Sequence, residues 1–398
     1  MTERQVKNFT LLELIRRGGP ITRTQLSQQT NLNIVTVSNY VADFIKKGLV
    51  VERGLDVSTG GRKPTLVELN ATAGYAAGLD LGLMDLRQPV LTAVVTDLRG
   101  HVVHRLAKPR AFDTMDHILE GVEPAIQELL STCPIEPKKI QALGLGIPGI
   151  HDERAGTIRH TTFGGKRTNY HAVRERLEER FRIPMFIGND ATLAGYGELR
   201  LGLDRPVENL VYLYGEVGAG LIVHGNVYWG AGGSAGEVGV VIPSADDYLM
   251  WAKDPSLLQP FAWHASVPLQ AQKLIEEGHQ TAMMELAERD GSGINLDTVL
   301  EAAQQGDGLA QELVEHLAMR LGIRIACLVN LFNPEVVIIG GGIEKAGSLV
   351  LEPVWRCVKR YAYEESASLV DILPAQLGQH AVAMGAACWV IREVFLQT

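Results

Sequence analysis

The first seventy residues alternate between apolar side chains at helical spacing and short polar turns. In the stretch "QVKNFTLLELIRRGG" the apolar positions recur every three residues, and the pattern stops at Gly18-Gly19-Pro20. These positions are Val6, Phe9, Leu12 and Ile15. The spacing predicts an opening helix that ends at the Gly-Gly-Pro break.

Two capping signals then predict a pair of helices. Thr22 is placed to cap a short helix over residues 23–30, which buries Leu26. Asn33 is placed to cap a longer helix over residues 34–47, and Gly48 ends it. Because only a tight turn separates them, the two helices form a helix-turn-helix pattern.

The longer helix has one apolar face, formed by Val37, Val41, Phe44 and Ile45. Polar residues cover the rest of its N-terminal half, which is the part that usually reaches base edges. Short polar side chains and a helix N-terminus can hydrogen-bond bases and phosphates. We therefore expect DNA contacts from the following residues of the motif: Arg23, Thr24, Asn33, Thr36, Ser38 and Asn39.

The runs "LVVERG" and "TLVEL" predict two strands, and "LDVSTGGRK" predicts the loop between them, which is the pattern of a wing. Gly61 lets the backbone approach DNA closely. Arg62 and Lys63 place two cations at the tip, and Arg62 can enter a minor groove. The pattern predicts a winged helix-turn-helix domain over residues 1–70, which resembles many bacterial winged-helix repressors. A protein-interaction module with a basic loop is the alternative.

The pattern changes after Asn70. The runs "GYAAGLDLG", "QPVLTAVVTDLRGHVV", "IQALGLGIPGI" and "PMFIGND" are apolar and β-rich, and helical stretches such as "DHILEGVEPAIQELLSTC" separate some of them. The same alternation recurs from "NLVYLYGEVGAGLIVHG" to "NPEVVIIGGGI". Two α/β halves with glycine-rich strand ends predict two lobes with a ligand cleft between them.

Charge is unevenly distributed along the chain. The 398 residues carry a net charge of −9, which argues against a general nucleic-acid binder. Residues 1–70 hold ten Lys and Arg against six Asp and Glu, so this head carries +4 and the remainder carries −13. A basic head on an acidic body indicates a phosphate-bearing partner at one end only, and we expect a double-stranded DNA operator.

The cysteine pattern indicates a reducing compartment, and the hydropathy predicts no transmembrane helix. The four cysteines form no CxxC or CxC pair, so neither a disulfide framework nor a local zinc site is encoded. No run of about 18 uncharged apolar residues is present. The first 17 residues are polar and charged, unlike a signal peptide. We expect a cytoplasmic protein with no membrane partner.

The body carries a series of glycine-rich motifs in a fixed order. These are "LDLG", "LGLGIPGIHDERAGTI", "IGNDATLAGYGE", "GEVGAGLIVHGNVYWGAGGSAGEVG", "NLFNPEVVIIGGGI" and "MGAAC". In this order, over residues 73–394, they resemble the ROK family of repressors, open reading frames and sugar kinases. Together with the winged helix, the resemblance is to the family's sugar-responsive regulators.

The resemblance implies a two-lobed actin-like, hexokinase-like (ribonuclease H-like) ATPase fold. The expected N-terminal lobe spans residues 71–195, with the C-terminal helix 380–398 returning to it. The expected C-terminal lobe spans residues 196–379 and carries the oligomer contacts.

The resemblance also implies a sugar site. Asp190 matches the catalytic base of the family's kinases and is expected to be vestigial here, and Asn189 is its neighbour on the sugar. Gly149 and Glu237 complete the expected effector contacts. Asp190 could alternatively be a helix N-cap. Aromatic side chains that could stack on a sugar or pack in the core are Tyr228, Trp229 and Trp263.

The ATP phosphate motifs differ from those of the family's kinases. After Gly82 the first cradle carries Leu83, Met84 and Asp85, which supply no hydroxyl and add a negative charge. In the second cradle, "EVGAG", Glu216 and Val217 stand where the kinases use a glycine and a hydroxyl residue. Two carboxylates beside a triphosphate are unfavourable unless a cation intervenes. We expect no kinase activity and no cofactor.

Zinc is not expected either. The family's zinc-bearing members use a His and a following cysteine-rich segment, whereas this chain has Val240 and then thirty residues without cysteine. The lone His264 is more typical of an ordinary surface or core residue.

These features suggest a homodimer or homotetramer that binds a roughly palindromic operator. Closure of the lobes on a sugar or sugar phosphate would then move the heads, with residues 71–78 as the hinge. Three alternatives remain at this stage: a sugar kinase with a DNA-binding head, a regulator controlled by a protein partner, and an activator in place of a repressor.

Overall fold

The computed structural model describes residues 2–55, 64–82, 90–109, 118–159, 167–215, 218–239, 263–290 and 293–398. It contains an N-terminal head and two α/β lobes. The predicted α/β class, with a winged helix-turn-helix ahead of an actin-like, two-lobed body, is confirmed.

The head is a three-helix winged domain. Its elements are α1 (Glu3–Gly18), β1 (Ile21–Thr22), α2 (Arg23–Thr30), α3 (Ile34–Lys46), β2 (Val50–Leu55) and β3 (Thr65–Leu69). The strands form one antiparallel sheet in the order β1-β3-β2. The sequence pattern missed the two-residue strand β1. The predicted wing tip, with Gly61, Arg62 and Lys63, lies outside the described residues.

Both predicted caps are present. The hydroxyl of Thr22 accepts a hydrogen bond from Gln25 N (3.1 Å), and Asn33 Oδ1 accepts one from Val35 N (2.8 Å). On the predicted apolar face of α3, Val37, Val41 and Phe44 are buried and Ile45 is half-buried. The predicted opening helix is present as α1, in which Leu11, Leu12 and Ile15 are buried and Val6 is 42% exposed.

The first lobe is built on a five-stranded sheet in the order β11-β7-β4-β5-β6. Its strands are β4 (Tyr75–Asp80), β5 (Val90–Asp97), β6 (Val102–Pro109), β7 (Ile140–Ile147) and β11 (Met185–Asn189). Helices α4 (Ile118–Thr132) and α5 (Tyr170–Phe181) cover one face. A small antiparallel sheet follows β7 and comprises β8 (Ile150–Asp152), β9 (Thr157–Arg159) and β10 (Arg167–Asn169).

The second lobe repeats this topology. Its sheet has the order β14-β13-β12-β15-β16, with strands β12 (Leu210–Tyr214), β13 (Gly218–Val223), β14 (Asn226–Val227), β15 (Val336–Gly340) and β16 (Asp371–Pro374). Its helices are α7 (Trp263–Glu276), α8 (Met283–Asp290), α9 (Leu296–Gln304), α10 (Gly308–Phe332), α11 (Ser348–Tyr361) and α12 (Glu364–Ala367). In each lobe an antiparallel meander adjoins parallel strands.

Two helices lie between the sheets, and glycines bring them close together. They are α6 (Asp190–Gly197) and α13 (Ala381–Gln397). A Cβ on Gly385 would stand 1.7 Å from Leu193 O, and one on Gly220 would stand 2.6 Å from Ala191 O. Because these positions are glycines, the backbone of α6 can pack directly against both α13 and the second sheet. Helix α13 also packs against β4, since a Cβ on Gly78 would stand 1.9 Å from Ala383 O.

The head is not tethered by a free linker. One continuous apolar cluster joins its core to α13 and to the back of the first sheet. Residues Tyr75 to Asp80 are buried in β4, so the hinge predicted over 71–78 is wrong for its second half. A buried central strand cannot bend without breaking its hydrogen bonds to both neighbours. Only the short 3-10 turn Ala71–Ala73 precedes it.

Candidate functional site

The candidate sugar site lies where β11 ends and α6 begins. Asn189 occupies the N-cap position, and both the oxygen and the nitrogen of its side-chain amide form hydrogen bonds. Its Oδ1 accepts a hydrogen bond from Thr192 N (3.0 Å), and its Nδ2 donates to Gly149 O (3.1 Å). Gly149 has a φ of 123°, which favours glycine. The cap is therefore Asn189, and Asp190 is the first residue of the helix.

Asp190 is buried at the N-terminus of α6. Its Oδ1 accepts a hydrogen bond from Ala191 N (2.7 Å). Burial raises the pKa of Asp190 to about 6, although its backbone hydrogen bonds act in the opposite direction. A carboxyl group that titrates near neutrality can accept or donate a hydrogen bond to a sugar hydroxyl.

Two further carboxyl groups interact with Asp190. Burial, followed by the charge of Asp190, raises the pKa of Asp80 to about 7, against a hydrogen bond from Gly82 N. Partial desolvation and the same charge raise the pKa of Glu237 to about 7, although this side chain keeps an exposed part and Arg159 lowers its pKa. Among the described residues, the cleft therefore brings together three carboxyl groups, and Arg159 is the cation that acts on one of them. The structure brings together the predicted residues Gly149, Asn189, Asp190 and Glu237.

An aromatic cavity beside this site was not predicted from the sequence. It has a volume of about 210 Å³, lies next to Gly188, and is lined by His151, Tyr170, Trp229 and Trp389, with Glu153 at its edge. Trp229 and Trp389 meet edge to face with ring centres 5.6 Å apart. Among the aromatic candidates, Trp229 lies in this cavity wall and Tyr228 is 50% exposed. Trp389 was missed because it lies on α13, far along the chain.

The lobes touch at the mouth of this cavity. The backbone N of Glu153, in the first lobe, donates a hydrogen bond to Gly232 O of the second lobe (3.0 Å). A Cβ on Gly233 would stand 2.8 Å from Glu153 Cγ, so glycine permits the approach. The site is thus formed by both lobes.

Several predicted features lie outside the described part of the chain. These are the two phosphate-cradle sequences with Leu83, Met84, Asp85, Glu216 and Val217, the zinc-related Val240, and the side chains of Trp263 and His264. Within the described part, no helix is long and apolar enough to cross a membrane.

The candidate DNA surface surrounds the N-terminus of α3. Thr24, Asn33 and Asn39 are exposed, and Thr36 and Ser38 are half-buried beside them. Arg23 Nη2 donates to Glu52 Oε1 (2.9 Å), so this cation is paired across to β2. Asn33 also serves as the cap.

Two apolar residues on the same surface were not expected there. Val35 is 63% exposed and Ile34 is 43% exposed at the first turn of α3. Apolar side chains can contact thymine methyl groups in the major groove. The helical spacing could have predicted this exposure, since neither residue lies on the buried face of the helix.

These features define a class of protein: a winged helix-turn-helix head attached to a two-lobed, actin-like body with a carboxylate-rich cleft. The sequence pattern of the ROK family matches residues 77–393. The chain belongs to the ROK family.

Relatives match over nearly the whole length. The xylose repressor of Caldicellulosiruptor bescii is 28% identical, over 98% of this chain and 96% of the relative. The DNA-binding transcriptional dual regulator NagC of Escherichia coli K12 is 27% identical, over 98% and 93%.

Solved structures share the fold. A ROK family transcriptional regulator, a homologue of the E. coli MLC protein, superposes with a TM-score of 0.75 at 20% identity, over 99% of this chain and 96% of the other. A ROK family glucokinase from Streptomyces griseus, in complex with glucose and AMPPNP, gives a TM-score of 0.65 at 25% identity. It covers 79% of this chain and 98% of the glucokinase, and thus resembles the body without the head.

Proposed function

We propose that this protein is a sugar-responsive transcriptional repressor of carbohydrate-metabolism genes. The observation that carries the proposal is the attachment of the basic winged helix to a ROK body through one continuous apolar core. A xylose repressor and a transcriptional dual regulator are among the relatives that align with both parts. The proposed partners are a double-stranded DNA operator and a sugar. The proposed assembly is a homodimer or homotetramer whose paired heads match a palindromic operator.

We propose the following domain division. Residues 1–70 form the DNA-binding domain, and residues 71–195 form the N-terminal lobe together with residues 380–398. Residues 196–379 form the C-terminal lobe and carry the oligomer contacts.

The proposed effector is a neutral sugar, and the charges of the cleft support this choice over a sugar phosphate. Three carboxyl groups interact there, with Arg159 as the cation that lowers the pKa of Glu237. Carboxylates accept hydrogen bonds from hydroxyl groups but repel a phosphate dianion. The proposed contacts are Gly149, Asn189, Asp190 and Glu237, with the aromatic wall of the adjacent cavity against an apolar sugar face.

The effector can change operator affinity only through its different affinities for two states of the body. The proposed two states differ in closure of the lobes, which meet at Glu153 and Gly232. A coupling free energy of about 1–3 kcal/mol is typical of such linkage.

A sugar kinase with a DNA-binding head is the second candidate, and the likeness of the body to a glucokinase favours it. By the family resemblance, Asp190 corresponds to the catalytic base of the kinases. The altered residues of both phosphate cradles argue against turnover, because they remove hydroxyl donors and add carboxylates. An ATPase-coupled assay with D-xylose, D-glucose and N-acetyl-D-glucosamine separates the two functions. Turnover at ordinary enzymatic rates would reject the repressor-only proposal.

The test of the effector half is a thermal-shift screen of the full chain against neutral sugars and their phosphates. A ligand present at one hundred times its Kd stabilises the folded state by about 2.7 kcal/mol. The proposal expects a rise in Tm with a neutral sugar and a smaller rise with its phosphate. Equal or larger shifts with the phosphate would contradict the proposed effector class.

The DNA half makes a contrasting prediction for two variants. Arg62→Ala should weaken binding to all duplexes, because it removes a phosphate or groove contact. It should also reduce the slope of log K against log salt concentration by about one. Asn39→Ala should instead change base preference, by about 1–3 kcal/mol at one position. Binding to randomised duplexes at several salt concentrations measures both effects. If both variants weaken binding uniformly, the assignment of Asn39 to base recognition is wrong.

A further inference from the structure

The junction between the head and the body contains a buried ionic cluster. It consists of Glu13, Arg16 and Arg17 on α1, and Arg200 in the π-helical turn Glu198–Gly202 that directly continues α6. Arg16 binds the Glu13 carboxylate through Nε and Nη2, both at 2.8 Å. Arg17 Nε (2.8 Å) and Arg200 Nη1 (3.3 Å) both donate to Glu13 Oε1. One carboxylate therefore holds three guanidinium groups, one of which belongs to the body.

The head also binds the backbone of this turn. Arg17 Nη2 donates to Leu199 O (3.2 Å), and Arg16 Nη2 donates to Arg200 O (3.3 Å). Carbonyl groups at the end of a helix carry a partial negative charge, which favours cations there. Any shift of the turn must therefore move these two arginines or break their hydrogen bonds.

Aromatic rings extend the same junction. The Arg200 guanidinium lies between the rings of Phe9 in the head (5.1 Å to its centre) and Tyr196 in α6 (4.8 Å). Tyr196 meets Trp389 edge to face with ring centres 5.1 Å apart. Trp389 lines the aromatic cavity beside the sugar site. A guanidinium held between two aromatic rings gains a further cation–π contribution.

Helix α6 joins this junction to the sugar site. Its eight residues are all buried, so it spans about 12 Å at 1.5 Å per residue. Its N-terminus holds Asn189 and Asp190, and its C-terminus passes into the turn that Arg16 and Arg17 grip. A short, fully packed helix moves as a unit, because close packing leaves no room to absorb a shift along its length.

We propose that Glu13 is the positioning residue that couples sugar binding at Asp190 to the orientation of the DNA-binding head. It acts by clamping α1 to the end of α6 through Arg200. The inference rests on the proposed function, since it names the route by which the sugar controls operator affinity. Glu13 is buried at the junction and belongs to neither proposed binding surface, so its replacement should change the coupling between the sites and not the sites themselves.

The test compares Glu13→Gln and Arg200→Gln with Glu3→Gln in the full chain. Glu3 is a matched control, because it pairs with Lys7 on the same helix but is exposed. The DNA probe is a duplex selected from a random library by the parent chain, and the sugar probes are D-xylose, D-glucose and N-acetyl-D-glucosamine. The measurement is the ratio of operator Kd with and without saturating sugar. If Glu13→Gln fails to fold, Arg200→Gln still tests the clamp, because Glu13 then keeps its pairing with Arg16 and Arg17.

The expected ratio is fivefold or more in the parent chain and in Glu3→Gln. It should fall below twofold in both cluster variants, with sugar affinity of the free protein within about twofold of the parent. By linkage, DNA should then also stop changing sugar affinity. A parental ratio in a folded cluster variant would overturn the proposal, and so would loss of sugar binding itself.

Hydrogen exchange separates failure of this inference from failure of the proposed function. If none of the three sugars alters operator binding by the parent chain, the proposed function fails for these effectors. The clamp is still tested by amide exchange at residues 190–193, the far end of α6. Glu13→Gln should accelerate exchange there at least fivefold more than it does in β12 and β15, which report any global loss of stability. Unchanged exchange at residues 190–193 would overturn the clamp independently of any ligand.

Discussion

The two ends of helix α6 present buried carboxylates in opposite environments. At the N-terminal end, burial raises the pKa of Asp190 to about 6 beside other carboxyl groups. At the C-terminal junction, burial would raise the pKa of Glu13 as well, but Arg16, Arg200 and Arg17 outweigh it and hold the value at about 2. Negative charge near a helix N-terminus and positive charge near its C-terminus both complement the helix dipole. Asp190 and Glu13 therefore differ in the sign of their pKa shifts, whereas Glu198, the first residue of the C-terminal turn, is buried without a cation among the described residues and has its pKa raised to about 7.

Replacing each carboxylic acid by its amide is expected to change the free energy of unfolding in opposite directions. These are the largest effects expected. Glu13→Gln should lower the free energy of unfolding at pH 7.5 by about 3 kcal/mol, because a pKa lowered from 4.5 to about 2 is lost. Asp190→Asn should raise it by about 3 kcal/mol, because it removes a buried group whose pKa is raised from 3.8 to about 6. Urea unfolding measures both. Two changes of the same sign would break the comparison.

The second prediction concerns function in the cleft. Asp190→Asn should weaken binding of the responsive sugar by about 100-fold, since hydrogen bonds to a charged group contribute about 1.5–3 kcal/mol. Operator affinity without sugar should stay within about twofold, because Asp190 lies in the body. Asp297→Asn, on the surface of the second lobe and paired with Lys345, is the control. Calorimetric titration with the sugar found in the thermal-shift screen measures the change, and an undiminished affinity would remove Asp190 from the effector site.

The head was largely predictable from sequence because its signals are local. Thr22 and Asn33 cap the helices that follow them, and the spacing of Val37, Val41 and Phe44 marks the buried face. Such signals act within one or two helical turns. Strand runs in the body were equally clear, although "QPVLTAVVTDLRGHVV" is split between β5 and β6.

The junction and the aromatic cavity were not predictable from the pattern. Glu13 and Arg200 are 187 residues apart, and both look like ordinary charged positions on amphipathic helices. Trp229 and Trp389 are 160 positions apart in the sequence, and their edge-to-face contact depends on how the two lobes are packed together. Periodicity identifies which face of an element is buried but not which element will cover it. The sugar-site residues were identified through the family resemblance, which supplied that long-range information.

The third prediction uses pH to separate Asp190 from Glu13. Groups whose folded-state pKa is raised keep the folded state more protonated than the unfolded state, so stability falls as pH rises through the window from about 4 to 7. The lowered pKa of Glu13 acts only below pH 4.5, where its stabilising contribution is lost as pH falls. In the parent chain, the free energy of unfolding should decline between pH 5 and 8. Asp190→Asn should remove about 1.4 kcal/mol of this decline, which corresponds to about 3 °C in Tm. Equal slopes in the variant and the parent chain would contradict the raised pKa.

Trp389→Phe is expected to have the smallest effect, because it leaves an aromatic ring in place where Trp389 connects the aromatic cavity to the ionic junction. Trp389 lines the cavity, meets Tyr196 edge to face, and lies 4.5 Å beneath the Arg392 guanidinium. Aromatic pairs and cation–π contacts are each worth about 0.5–1.5 kcal/mol, and phenylalanine retains part of both. We expect a loss of about 1 kcal/mol in stability. A similar loss in sugar affinity should follow if the cavity wall contacts the sugar.

The matched control is Trp355→Phe, since Trp355 stacks with Lys359 in the second lobe, away from α6. If Trp389→Phe changes stability but not sugar affinity, the cavity wall belongs to the junction alone. In that case the cleft would end at Asn189 and Asp190, and the boundary between the two regions would run through Tyr196. If sugar affinity falls with stability, the two regions share Trp389, and the contrast between the ends of α6 is one of charge and not of separate packing.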